Sequence, residues 1–180
     1  MEIYKIYFQR LSYDGENYTK GEFLDPQVEW GLYCRGISLA PMREMKDYTS
    51  QDWPGMDGQD VYVPGEISGS AKPRRKSFDM EISFIWEGPD SDWERVRGAV
   101  IDYMSGGRLC YYDEYCQTGR KDMVMKNFDH EILHRNSTEG VTIMCLKISY
   151  TVYDPVTDVL CETETGDDDV VTITGLTWND

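Results

Sequence analysis

Between positions 78 and 86 the chain alternates without a break. Phe78, Met80, Ile82, Phe84 and Trp86 take one side, and Asp79, Glu81, Ser83 and Ile85 take the other. A period of two sends successive side chains to opposite faces of a strand, so this segment has one wholly apolar face and one mostly polar face. Such a strand has to pair with neighbours and bury its apolar face against a second layer. Pro89-Asp90 ends it. The same pattern returns over 141–153, where Leu146, Ile148, Tyr150 and Val152 oppose Lys147, Ser149 and Thr151 before Asp154-Pro155 stops the run.

Further strands are expected over 2–8, with Tyr4, Ile6 and Phe8 on one face, and over 28–39, as one strand or two. Residues 109–115 and 123–134 read as two more, joined by a turn at Gly119. Turn chemistry separates these runs at 13–17, at Lys20-Gly21 and at 136–140. One helix is expected at about 92–105. Ser91 and Glu94 form a capping box, Trp93, Val96, Val100 and Met104 make one stripe, and Gly106-Gly107 stop it. Gly98 inside the helix suggests close packing against the sheet. The fold class is therefore α+β and mainly β: a β-sandwich or split-barrel-like domain over 1–155 with one packed helix.

Residues 40–77 differ from the rest. Pro41, Pro54-Gly55, Asp57-Gly58, Pro64-Gly65, Gly69 and Pro73 break any regular pattern. Pro54-Gly55 suits the centre of a type II turn. A loop region this long inside a domain is expected to make contacts, so it reads as an arm. Residues 156–180 form an acidic tail with a possible short strand at 170–174.

Composition narrows the function. A net charge of −15 argues against gripping a nucleic-acid backbone. The sequence Met1-Glu2-Ile3-Tyr4-Lys5-Ile6 lacks the pattern of a secretion leader, and no apolar run is long enough for a membrane span. Localisation in a cytoplasm, or in something assembled there, is expected. Five cysteines at 34, 110, 116, 145 and 161 contain no CxxC pair, which speaks against a structural zinc site or a disulfide framework. Thirteen tyrosines and five tryptophans suit strands and subunit interfaces alike.

One motif carries chemistry on its face. His130-Glu131-Ile132-Leu133-His134 fits the HExxH zinc-protease pattern. That chemistry needs a helix, which brings both imidazoles to one metal. On a strand the two histidines stand about 13 Å apart. The loop and long strand that follow argue for a strand, and no third ligand is evident. No catalytic, cofactor or metal site is assigned, and His130 and His134 are held as the metal reading to be tested. The acceptor patterns at Asn17 and Asn136 lack a secretion context, and Asp167-Asp168-Asp169 lacks the spacing of a calcium loop. No GxSxG, Walker loop or GxGxxG occurs. The cluster Lys72-Pro73-Arg74-Arg75-Lys76 is either a solvated loop or a dock for an acidic patch.

The order of features from 53 to 155 resembles the N-terminal domain of the distal tail protein family, the siphophage baseplate hub. It begins with Pro54-Gly55-Met56-Asp57-Gly58 and continues with Arg74-Arg75-Lys76 leading into the strand at 78–86. The helix with Trp93 and Val100, the turn Gly106-Gly107-Arg108-Leu109 into a Tyr-rich strand, and a last strand closing on Tyr153-Asp154-Pro155 complete it. The resemblance implies a tail-tube-like domain that assembles as a hexameric ring between tail tube and baseplate. It implies no enzyme activity and no cofactor. The expected partners are other copies of the chain and neighbouring tail proteins, the tail tube and the baseplate hub. The expected location is a virion tail, built in a bacterial cytoplasm and in many cases carried by a prophage. Trp53, Pro54, Gly55, Asp57, Gly58, Arg74, Arg75 and Lys76 are the subunit-contact candidates. Two other readings are a zinc-dependent hydrolase through His130 and His134, and a stand-alone glycan- or peptide-binding module.

Overall fold

The alternation at 78–86 extends to the strand Phe78–Pro89, in which the five residues of the apolar face are buried. A computed structural model of the chain describes residues 5–39, 49–52, 59–62, 77–136, 138–155, 157–165 and 171–178. The elements in order are β1 (Ile6–Tyr13), β2 (Tyr18–Leu24), α1 (Pro26–Trp30), β3 (Leu32–Leu39), β4 (Thr49–Asp52), β5 (Gln59–Tyr62) and β6 (Phe78–Pro89). They continue with α2 (Trp93–Met104), β7 (Arg108–Asp113), β8 (Thr118–Asn136), β9 (Val141–Val152), β10 (Val159–Thr165) and β11 (Val171–Trp178). The expected α+β, mainly β class is what the chain adopts.

Seven strands form one sheet in the order β2-β1-β7-β8-β9-β6-β3, and each neighbouring pair is antiparallel. Four strand spacings separate β1 from β6, or about 19 Å in a flat sheet. Yet the rings of Phe8 and Phe84 have centroids 6.4 Å apart. The sheet is therefore strongly curled, with its apolar faces turned toward one another. It does not close, because β2 and β3 each pair with a single neighbour and α1 alone links them.

The helix α2 fills the concave side. Trp93, Val96, Val100, Tyr103 and Met104 are buried there against β-sheet residues such as Ile82, Leu109 and Ile148. Trp93 packs on Trp86 at 5.4 Å and Tyr103 meets Trp30 edge-on at 5.7 Å. The Arg10 guanidinium closes the C-terminal end: it donates to the carbonyls of Asp102 and Tyr103 and lies 4.5 Å over the Tyr103 ring. Positive charge is favourable at a helix C-terminus.

Several expectations need correction. Ser91 does not start a capping box. A single 3-10 turn at Asp90–Asp92 leads into α2, and its N-cap, Asp92, has helical backbone angles and no side-chain capping bond. Gly98 does not mark a close approach, since a Cβ there would meet nothing within 4 Å. Residues 28–30 are helical rather than extended. Asp25 caps α1 through the amides of Gln27 and Val28, Pro26 begins it, and Gly31 at φ 67° ends it. The Asp-Pro start and Gly stop are a legible helix signal. The turn after β7 falls before Gly119, with Gln117 at φ 51°. Gly119 itself sits in β8, where a Cβ would stand 1.9 Å from the Tyr111 carbonyl oxygen.

Within 156–180, read from sequence as an acidic tail with one short strand, β10 and β11 pair antiparallel and carry a second apolar cluster of their own. Val159 and Leu176 are fully buried against Tyr7, Leu11, Cys110 and Tyr112 on the convex side of the sheet. Gln9 fastens this layer, donating to the Gly21 carbonyl and accepting from the Leu176 amide. The convex side over β3, β6, β9 and the far half of β8 carries no such layer among the described residues.

Candidate assembly surfaces

The HExxH segment lies inside β8. His130 is set opposite Leu146 and His134 opposite Ile143, with a bulge between Ile132 and His134. Strand spacing keeps the two imidazoles on the order of 13 Å apart, too far to share one ion. The His130 ring rests against Trp93 at 5.2 Å and against Phe128 at 6.0 Å. Among the described residues no three His, Cys, Asp or Glu side chains converge on a point.

Beside His130 lies a cleft of about 190 Å³ lined by Asp90, Trp93, Ile132, Arg135, Thr142 and Met144. Its polar groups already satisfy one another. Thr142 and Arg135 both donate to Asp90, and these bonds hold its carboxyl below the usual carboxylate range. A second cleft, about 430 Å³, runs past Ser38, Asp79, Glu81, Lys126, Asn127 and Ser149. There Asp79 accepts from Lys126 at 2.6 Å and from Thr151 at 2.7 Å, which lowers its pKa as well. In each cleft the aspartate is held by a basic side chain and a threonine hydroxyl, Asp90 by Arg135 and Thr142 and Asp79 by Lys126 and Thr151.

The unsatisfied parts of the fold are strand edges. β8 pairs with β7 only from Thr118 to Val124, whereas its pairing with β9 runs on to Asn136. From Met125 onward one edge of β8 has no strand beside it among the described residues. Residues 129–135 are exposed on both faces, Ile132 at 58% and Leu133 at 47%. An open edge with exposed apolar side chains is a template for another chain. β3 presents the second such edge, with Tyr33 exposed and Arg35 on the convex side. Sequence reasoning missed both. The length of the 118–136 run relative to its neighbours could have signalled the first, since a long strand outreaches a short partner.

The contact candidates Trp53, Pro54, Gly55, Asp57, Gly58, Arg74, Arg75 and Lys76 lie outside the described residues. Flanking 53–58, β4 and β5 pair antiparallel from Thr49↔Tyr62 to Asp52↔Gln59. Elsewhere on the sheet Arg108 pairs with Asp122 and Arg120 with Asp158.

Fold and surface together define a mainly β chain with open strand edges among its described residues. No family model matches the chain, and no curated protein matches it. Among solved structures it is similar to the Dit (gp 19.1) protein of SPP1, described as a paradigm of the hub adsorption apparatus in phages infecting Gram-positive bacteria. The TM-score is 0.49 with 10% sequence identity over 87% of this chain, and the chain spans 54% of that protein's length.

Proposed function

We propose that this chain is a structural subunit of a phage or prophage tail, one that self-associates into a ring at the junction of tail tube and baseplate. The observation that carries the self-association is the open half of β8, an edge with Ile132 and Leu133 exposed. The ordered features from 53 to 155 supply the tail context. The arm at 40–77, with Trp53, Pro54, Gly55, Asp57, Gly58, Arg74, Arg75 and Lys76, adds contacts to the neighbouring copy or to the tail-tube and hub proteins. The subunit has no catalytic role, and it resides in the virion tail after assembly in the bacterial cytoplasm. A charge of −15 lets an acidic ring lumen pass DNA without adhesion.

Light scattering of the full chain over a concentration series, with metal content read on the same sample, tests this reading. A ring-sized species without bound zinc is the expected result. A monomer holding one zinc would favour the hydrolase, and a metal-free monomer that binds glycans or peptides would favour a binding module.

A further inference from the structure

The open edge of β8 also selects its partner. Asp129 and Glu131 project on the convex side of that edge; Asp129 stands opposite Lys147 of β9, and Glu131, opposite Cys145, forms an ion pair with Lys147 at 3.7 Å. Suppose two copies paired β8 with β8 about a two-fold axis. Same-face residues would then oppose one another, and with the axis at 129–131 Asp129 would meet Asp129 or Glu131 of the other copy, or Glu131 would meet itself. Like charges directly opposite destabilise a strand pair. A two-fold contact centred on 129–131 is therefore disfavoured, and a head-to-tail contact with a different, basic edge relieves the repulsion.

β3 is that edge. It is the terminal strand of the sheet, and among the described residues it pairs only with β6. Arg35 sits on its convex side, over Cys145 and beside Ser83 and Lys147. Among the described arginines, Arg10, Arg97, Arg108, Arg120 and Arg135 donate to oxygens and Arg95 lies 3.7 Å from the Asp92 carboxylate, whereas Arg35 donates to the Cys145 thiol sulfur at 3.6 Å. Asp129 accepts only from the amide next to it, that of His130. The other terminal strand, β2, is less suited: its Lys20 is engaged by Glu162 at 2.5 Å and by the Trp178 ring.

We infer that the far half of β8, residues 127–132, takes the β3 edge of a second copy as an added strand, with Arg35 of one copy meeting Asp129 and Glu131 of the next. Continuing a sheet keeps its faces in register, so the two charge sets meet on the convex side. The contact is heterologous, and it closes into a ring or runs on as a filament according to the rotation between copies. This inference rests on the self-association proposed above.

The test uses the full-length chain and its charge variants in sedimentation or light scattering. Asp129→Arg alone and Arg35→Glu alone are each expected to weaken assembly by about tenfold or more, the scale of one lost charge pair in a partly desolvated contact. The combined variant Asp129→Arg/Arg35→Glu is expected to restore it. Hydrogen exchange on the wild-type chain supplies a readout that does not depend on variants folding: the amides of 127–132 and of β3 that point away from β9 and β6 become protected only in the assembled species. Wild-type chain that assembles while the single variants assemble equally well, or without new protection at 127–132, overturns the β8–β3 pairing and leaves self-association standing. Wild-type chain that stays monomeric at every concentration overturns both.

Discussion

Cys110 and Tyr111 sit side by side on β7 but face opposite layers, the thiol under the β10–β11 hairpin and the ring in the concave core. Both are essentially without solvent contact, and burial pushes each up to about 12. Burial does the same to Cys34, to about 11. Free thiols and phenols ionise near 8.5 and 10. Between those values and the folded ones, the unfolded chain releases protons that the folded chain retains. Stability is then complete below about pH 8.5 and declines as pH rises toward 12. Urea midpoints measured from pH 7 to pH 11 are expected to fall steadily, and Cys110→Ala is expected to soften the slope. A midpoint unchanged at pH 11 would contradict the burial of these groups. Cys116, exposed in the turn after β7, is expected to react first with a thiol reagent at neutral pH.

At the level of elements, α2 and the β10–β11 hairpin occupy opposite sides of the same sheet, and the two layers can be probed separately. Gly98 lies in mid-helix with open space where a Cβ would stand. Gly98→Ala is expected to stabilise the protein by about 0.5–1 kcal/mol, because alanine costs the unfolded chain conformational freedom and meets nothing in the folded one. A loss of stability in denaturant unfolding would reveal a contact at that position. Leu176 is fully buried in the second cluster and belongs to the hairpin. Leu176→Ala is expected to cost about 2–5 kcal/mol. Its signature should be local: faster amide exchange across 159–178, with β6 and β9 protected as before. Uniform loss of protection would mean that the two layers fold as one unit.

For the whole molecule, the curl of the sheet matters more than any single contact. It brings Phe8 to Phe84 and Tyr150 across the concave face and leaves β2 and β3 as ends. The short β7 beside the long β8 produces the open edge. An edge filled by another copy stabilises by mass action, so the melting temperature of the wild-type chain is expected to rise with protein concentration. A melting temperature independent of concentration across a hundredfold range would speak against strand addition.

Local pattern made much of this fold legible. The alternation at 78–86 and 141–153 identified β6 and β9, and the apolar stripe with its Gly-Gly stop identified α2, because each signal is set by neighbours in the chain. The strand context of His130 and His134 was readable for the same reason. Asp25-Pro26 and Gly31 also carried a local helix signal that the hydrophobic run around them obscured. Tertiary structure alone decided the rest. That Val159 and Leu176 bury themselves on the convex side, that Gln9 ties three strands together, and that β8 outruns β7 all depend on which strands become neighbours. The same holds for the pairing proposed between Arg35 and Asp129, residues 94 positions apart in sequence. Strand order is fixed by long-range burial, and a period of two records which face a residue takes but not which strand lies beside it.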